Sequence, residues 1–218
     1  MRYIAALDYE HLDNGVFLTT LAKSLFLQQE KKEVRSILVH SDSKYTERII
    51  QTGVMRDEAT VRSVKDLNNR LVALFADQGV STVGINPFQR NFISREDKKL
   101  KFDHSFYETL PRQSVLLLST LIYDAESQRP AVIDLATLAQ FLAEELEADE
   151  LFIFSKSNES EIFTQSDLPH EIKWSAMESS FREKQIPDEF ASLYRPIQLV
   201  TARDFNEIPD LKHAIAIG

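Results

Sequence analysis

The chain has 218 residues, 43% hydrophobic and 27% charged, with no cysteine and a net charge of −9. Those values exclude disorder, a collagen-like repeat and a disulfide scaffold, and the acidic balance argues against nucleic acid, which is bound through Lys and Arg on phosphates. The longest apolar run, residues 114–123, is far short of the roughly 20 residues a membrane helix needs. Residues 1–8 carry no secretory pattern, so a cytoplasmic protein with no membrane or nucleic-acid partner is expected.

Residues 3–7 form a short apolar run that predicts a strand. Behind Asn14-Gly15, Val16, Leu18, Leu21 and Leu25 recur at helical spacing over 15–29. The pattern repeats as a strand over 36–40, the loop Ser41-Asp42-Ser43, and a helix over 44–52 that stops at Gly53. Val61, Val64, Leu67, Leu71, Leu74 and Phe75, three and four apart, predict a long amphipathic helix over 57–78 capped by Gly79. A strand over 80–85 leads into a polar stretch, 86–104, with a hairpin near 95–99, then a short helix over 105–110. The apolar run 115–123 predicts one strand, and a polar turn over 124–129 leads to residues 130–133. Leu138, Leu142 and Leu146 share one stripe of a helix over 135–146, which precedes a strand over 150–154. Residues 155–189 lack periodicity and read as excursions with one helix. A strand over 197–201, a short helix over 204–212 and a last strand over 214–217 complete the order.

Strands alternating with helices predict an α/β fold, a three-layer α/β/α sandwich around a mainly parallel sheet. Ligands of such sheets sit at the carboxyl ends of strands. The loops of interest therefore follow Leu7, His40, Ile85, Ile133, Phe154 and Thr201.

Asp8-Tyr9-Glu10, Ser41-Asp42-Ser43-Lys44 and Ser155-Lys156-Ser157-Asn158-Glu159 contain no glycine, and the whole chain has only five. A cradle of backbone amides around phosphate needs the close approach that a Cβ prevents, so none is expected. Asp8, Glu10 and Asp42 would repel phosphate unless a divalent cation lay between. Neither a Walker A loop nor GxGxxG occurs. His11, His40, His104, His170 and His213 never pair at ligand spacing, and without cysteine no structural zinc is expected. His40, at a strand end, reads as a hydrogen-bonded structural residue. Asp8, Asp42 and Asp134 have the placement to converge on a metal, but helix capping is the simpler reading for Asp134 and for Asp57. The charge run over 98–101 reads as a solvated hairpin arm.

The order of elements resembles the amino acid kinase family, and within it the acetylglutamate kinases. ILVHSDSKYTERIIQTGV is similar to that family's second strand, glycine loop and following helix. VKDLNNRLVALFADQGVSTVGI resembles its long third helix and next strand. SVLLLSTLIYDAESQRPAVIDLATLAQFLAEELEADELFIFS resembles its apolar strand, NVNAD turn, helix and LILLTD strand, and LVTARDFNEIPDLKHAIAIG its closing segment. The resemblance implies one domain over 1–218, with a substrate-side lobe over 1–134 and a reduced nucleotide-side lobe over 135–218. It also implies a homodimer through the 57–78 helix.

In kinases of that family a lysine and two glycines after the first strand hold the ATP phosphates. Aligned through Leu12-Asp13, Ala6 stands at the lysine and Asp8-Tyr9 at the glycines. Ser41-Asp42-Ser43 replaces the second glycine loop, Ala136 the aspartate that organises the transferred phosphoryl group, and Val132 and Asp134 the two asparagines before it. Lys156 stands at the adenosine-side aspartate, Lys184 is the nearest match to a GM-x-x-K lysine, and Arg56 corresponds to an arginine that holds the substrate carboxylate. Phosphoryl transfer is catalysed by positioning and by stabilising negative charge, and these replacements remove both. A retained fold without the kinase chemistry is expected, with ATP and Mg as cofactors only where activity survives. Ligand-binding candidates are Asp8, Ser41, Asp42, Ser43, Lys44, Arg56, Asp134 and Lys156. Two alternatives stand beside it. One is an active ATP-dependent kinase of a carboxyl acceptor that uses Lys44, Arg56, Lys156 or a metal on Asp8 and Asp42. The other is a sensor of a cationic small molecule at Asp8, Glu10, Asp42 and Asp134.

Overall fold

The computed structural model describes residues 1–31, 34–156, 171–193 and 195–218. Ser157, Asn158, Glu159 and His170 lie outside the described residues. The chain runs β1 (Arg2–Leu7), α1 (Tyr9–Leu12), α2 (Gly15–Glu30), β2 (Arg35–His40), α3 (Tyr45–Gln51), α4 (Arg56–Asp77) and β3 (Thr82–Ile85). Next come β4 (Ile93–Glu96), β5 (Lys99–Phe102), α5 (His104–Glu108), β6 (Val115–Ser119), β7 (Leu121–Asp124) and β8 (Arg129–Val132). The carboxyl-terminal third holds α6 (Leu135–Glu145), β9 (Glu150–Phe154), β10 (Glu171–Ile172), α7 (Ser179–Gln185), β11 (Ile197–Val200) and β12 (Ile215–Ile217).

Among the described residues the central sheet has eight strands in the order β10-β12-β11-β9-β1-β2-β6-β3. All neighbours from β11 to β3 pair in parallel, and β12 turns back antiparallel to β11. Both faces are covered, as a parallel sheet requires. Ile4 and Ala6 of β1 pack with Leu135, Ala136, Leu138 and Leu142 of α6, whereas Tyr3, Ala5 and Leu7 pack with Leu21 and Leu25 of α2 and Leu71 and Phe75 of α4. Alternation along one strand thus feeds two apolar layers, and the expected three-layer sandwich is the observed one.

Local chemistry explains most boundaries. The Asn14 side chain caps α2 on the Phe17 amide, and Asp134 caps α6 on Thr137. Gly53 and Gly79 take positive φ, 89° and 81°, just past α3 and α4. Asp97 and Lys98 both take positive φ in the two-residue turn of the β4–β5 hairpin, where it was expected.

Four expectations are corrected. The single strand over 115–123 is two strands: β6 ends at Ser119 and the chain crosses at Thr120 into a second sheet, ordered β5-β4-β7-β8. Ile133 therefore follows a strand of that second sheet, although its amide donates to Thr120 O and brings the start of α6 beside the end of β6. The helix over 204–212 is only a 3-10 turn, Asp204–Glu207, because Pro209 forces Ile208 out of helical backbone to φ −53, ψ 133. Asp57 is not a cap, since Met55 holds that position and Asp57 lies in the first turn of α4. Finally, Asp8-Tyr9-Glu10 is not an open loop: Asp8 caps the one-turn α1 through the amides of Glu10 and His11.

No helix of the described residues is long and apolar enough to cross a membrane.

Candidate functional site

The parallel strands end on one edge, and Leu7 and His40 are register partners, so the loops after β1 and β2 start side by side. Ser41 N–H donates to Leu7 O at 3.2 Å and closes the gap. Three carboxylates meet here. Asp8 is buried, accepts from the Glu10 amide at 2.9 Å, and is bonded to Nδ1 of His11. The other ring nitrogen of His11 donates to Ser155 O at 2.9 Å. The His11 ring therefore ties the buried Asp8 side chain to the backbone at the end of β9.

The second carboxylate is Glu189, in the turn Asp188–Phe190 that follows α7. Its Oε2 accepts from the Tyr9 amide at 2.5 Å and from the Ser41 hydroxyl at 3.2 Å. A side chain from 180 residues away therefore sits across the mouths of both loops. Burial pushes Glu189 up to about 7, the Tyr9 amide opposes that, and the charge of Asp8 adds to it. Asp42, the third, is also raised, chiefly by burial. A pocket of about 300 Å³ lies between Asp8, Tyr9 and Glu10 on one side and Pro187, Asp188 and Glu189 on the other.

The strap that carries Glu189 is tied down. Lys156 N–H donates to Gln185 O at 2.9 Å, Ser155 Oγ donates to Gln185 Oε1 at 2.6 Å, and Ile186 and Phe190 are buried. Lys156 Nζ lies 3.5 Å from Glu10 and 3.4 Å from Asp188. Its ammonium is thus shared between the strap and the β1 loop.

The other expected site residues divide between structural duty and solvent. Ser43 Oγ accepts from the Tyr45 amide at 3.3 Å, and exposed Lys44 donates its backbone N–H to Asp13 at 2.8 Å. Exposed Arg56 pairs with Glu47 at 3.1 Å. Asp134 is spent on Thr137, accepting from its N–H and Oγ at 2.8 and 2.9 Å. Ala6 and Ala136 are both fully buried in the layer under α6, where a lysine at 6 would put its charge among apolar side chains. Among the described residues no group of three or more His, Asp or Glu is placed to hold a metal ion, so Asp8, Asp42 and Asp134 do not converge on one.

His40 is structural, as expected. Its Nδ1 donates to Ser41 O at 2.8 Å and its Nε2 accepts from Asn68 of α4 at 3.0 Å, and burial pushes it down to about 4. Asn68 in turn packs so tightly on the edge strand that a Cβ at Gly84 would stand 2.5 Å from its Oδ1.

Fold and loops together define a doubly covered parallel sheet whose β1 and β2 loops meet at one edge. The sequence matches the amino acid kinase family over residues 10–165, and the chain belongs to that family. Solved structures agree on the fold. An N-acetylglutamate synthase from Neisseria gonorrhoeae aligns with TM-score 0.67 at 16% identity, covering 100% of this chain and 59% of its own. An isopentenyl phosphate kinase gives 0.64 at 12%, covering 100% and 99%. An aspartate kinase from Synechocystis gives 0.67 at 11%, covering 92% and 38%. The chain thus spans well under two thirds of the synthase and of the aspartate kinase. Among curated proteins none matches.

Proposed function

We propose that this chain is a non-phosphorylating, acetylglutamate-kinase-like member of its family that acts by binding or association. The observation that carries the reading is Glu189: its carboxylate occupies the Tyr9 amide and Ser41 hydroxyl, the donors nearest to where the resemblance puts the phosphate loops. Phosphoryl transfer needs cations and amide donors around the moving group, each such donor being worth roughly 3–4 kcal/mol. Here the same space holds the side chains of Glu189, Asp8 and Asp42, which bring acceptors where a phosphoryl group needs donors and cations. Lys44, Arg56 and Lys156, the cations an active kinase would recruit, are exposed or paired with Glu47, Glu10 and Asp188.

The test is calorimetric titration of the full chain with MgATP, run beside an ADP-release assay offering acyl amino acids. No saturable heat below about 1 mM and no ADP release are expected. Saturable MgATP binding with transfer to an acyl amino acid overturns the reading. The homodimer through α4 belongs to the same proposal and is supported only by the resemblance, since Val72 and Leu74 pack against this chain's own core.

A further inference from the structure

At the opposite edge of the sheet, where β1 and β2 begin, lies a cavity of about 430 Å³. Arg2 and Arg35 line it and are direct neighbours in the parallel register. Like charges held side by side on a sheet cost stability unless something compensates them. Among the described residues neither guanidinium has a carboxylate partner. Arg2 donates through Nη1 to Leu146 O, and its Nε is buried with no hydrogen bond at all. Arg35 donates through Nη1 to Pro111 O and Ser114 O and lies over the Tyr107 ring, 5.5 Å from its centroid. Pinned through one nitrogen, Arg35 keeps its Nε and Nη2 edge without an acceptor among the described residues, and that edge matches the two oxygens of a carboxylate.

Two of the acids around the cavity are already engaged. Glu108 is taken by Arg112 at 2.8 Å, and Asp149 accepts the backbone N–H of Arg2 at 2.7 Å. Among the described residues Glu147 is the third acid of the lining, and Arg2, Arg35 and Arg112 are its cations. Val34, Leu110 and Tyr107 supply apolar wall.

We propose that this cavity binds a small organic monocarboxylate with an apolar body, its carboxylate forked on Arg35 beside Arg2 and its body against Tyr107, Val34 and Leu110. The site is separate from the carboxyl edge and does not depend on whether phosphoryl transfer survives there. Benzoate is the probe, titrated into the full chain by calorimetry and ligand-observed NMR. Saturable binding below about 1 mM is expected. Arg35→Gln, which removes the fork, and Leu110→Trp, which fills the cavity but leaves both guanidiniums, each weaken it at least about tenfold. Exposed Arg129→Gln leaves it unchanged. Should Arg35→Gln fail to fold, Leu110→Trp decides alone. Absence of saturable binding up to about 10 mM, or binding that survives Leu110→Trp, overturns the assignment.

Discussion

Glu189→Gln separates the charge of the strap from its shape. Gln keeps an oxygen that accepts from the Tyr9 amide and Ser41 hydroxyl but removes the anion set near Asp8 and Asp42. Burial lifts Glu189 from 4.5 to about 7, so between those pH values the native state holds a proton that the unfolded chain has released. Stability from this group is therefore full below about pH 4.5 and is lost as pH rises through 7. The shift of about 2.5 units corresponds to about 3.4 kcal/mol at 1.36 per unit, and solvent screening of a partly exposed carboxylate reduces it to about 2. Glu189→Gln is expected to stabilise the protein by about 1–2 kcal/mol near pH 8 and to have no such effect near pH 5. Urea denaturation of both proteins across this range reads the difference directly. A Gln variant less stable than the parent in mild alkali, or a difference that does not change with pH, refutes the placement of a strained carboxylate at this edge.

His40 titrates with the opposite sign. Lowered from 6.5 to about 4 by burial, it binds its proton less readily than the unfolded chain does, so stability falls as pH drops from 6.5 toward 4, by up to about 3 kcal/mol. Its ring signals in NMR should stay neutral down to about pH 5 and should shift only below that, and a ring titrating near 6.5 contradicts the buried bonds to Asn68 and Ser41. Gly84→Ala drives a methyl to 2.5 Å from Asn68 Oδ1 and Val72 Cγ2, and calorimetric melting should show a loss of about 1–3 kcal/mol. An unchanged melting temperature means that α4 does not sit against the edge strand as described. Light scattering should give twice the chain mass, and Ala73→Glu on the exposed face of α4 should shift the population toward monomer. A wild-type chain that is monomeric at all concentrations removes the α4 dimer.

The elements themselves were legible because each carries a local signal. Two apolar faces on one strand write a continuous run such as Ile4-Ala5-Ala6-Leu7, and one buried stripe writes Leu67, Leu71 and Phe75 at helical spacing. Asn14, Asp134, Gly53 and Gly79 then mark the ends through their own backbone and side-chain chemistry. Illegible boundaries lacked such contrast. The break at Thr120 falls inside a run buried on both sides of it, so hydropathy does not change where the chain changes sheets. The helix over 204–212 failed on Pro209, a local signal that bars helical backbone at Ile208.

For the site, residue types alone were enough to say that the loops after Leu7 and His40 make no glycine cradle, because a Cβ occupies space wherever the chain goes. They also put Asp8, Ser41 and Asp42 in those two loops. Nothing in the order of residues announced that His11 would bridge Asp8 and Ser155, or that Glu189 would lie on Tyr9 and Ser41. Those contacts join positions 144 and 180 apart, and no periodicity or spacing encodes them. They exist because parallel crossovers return the chain to the same sheet edge after each helix, which puts side chains from remote segments within hydrogen-bond reach and lets burial, rather than residue type, set their charge.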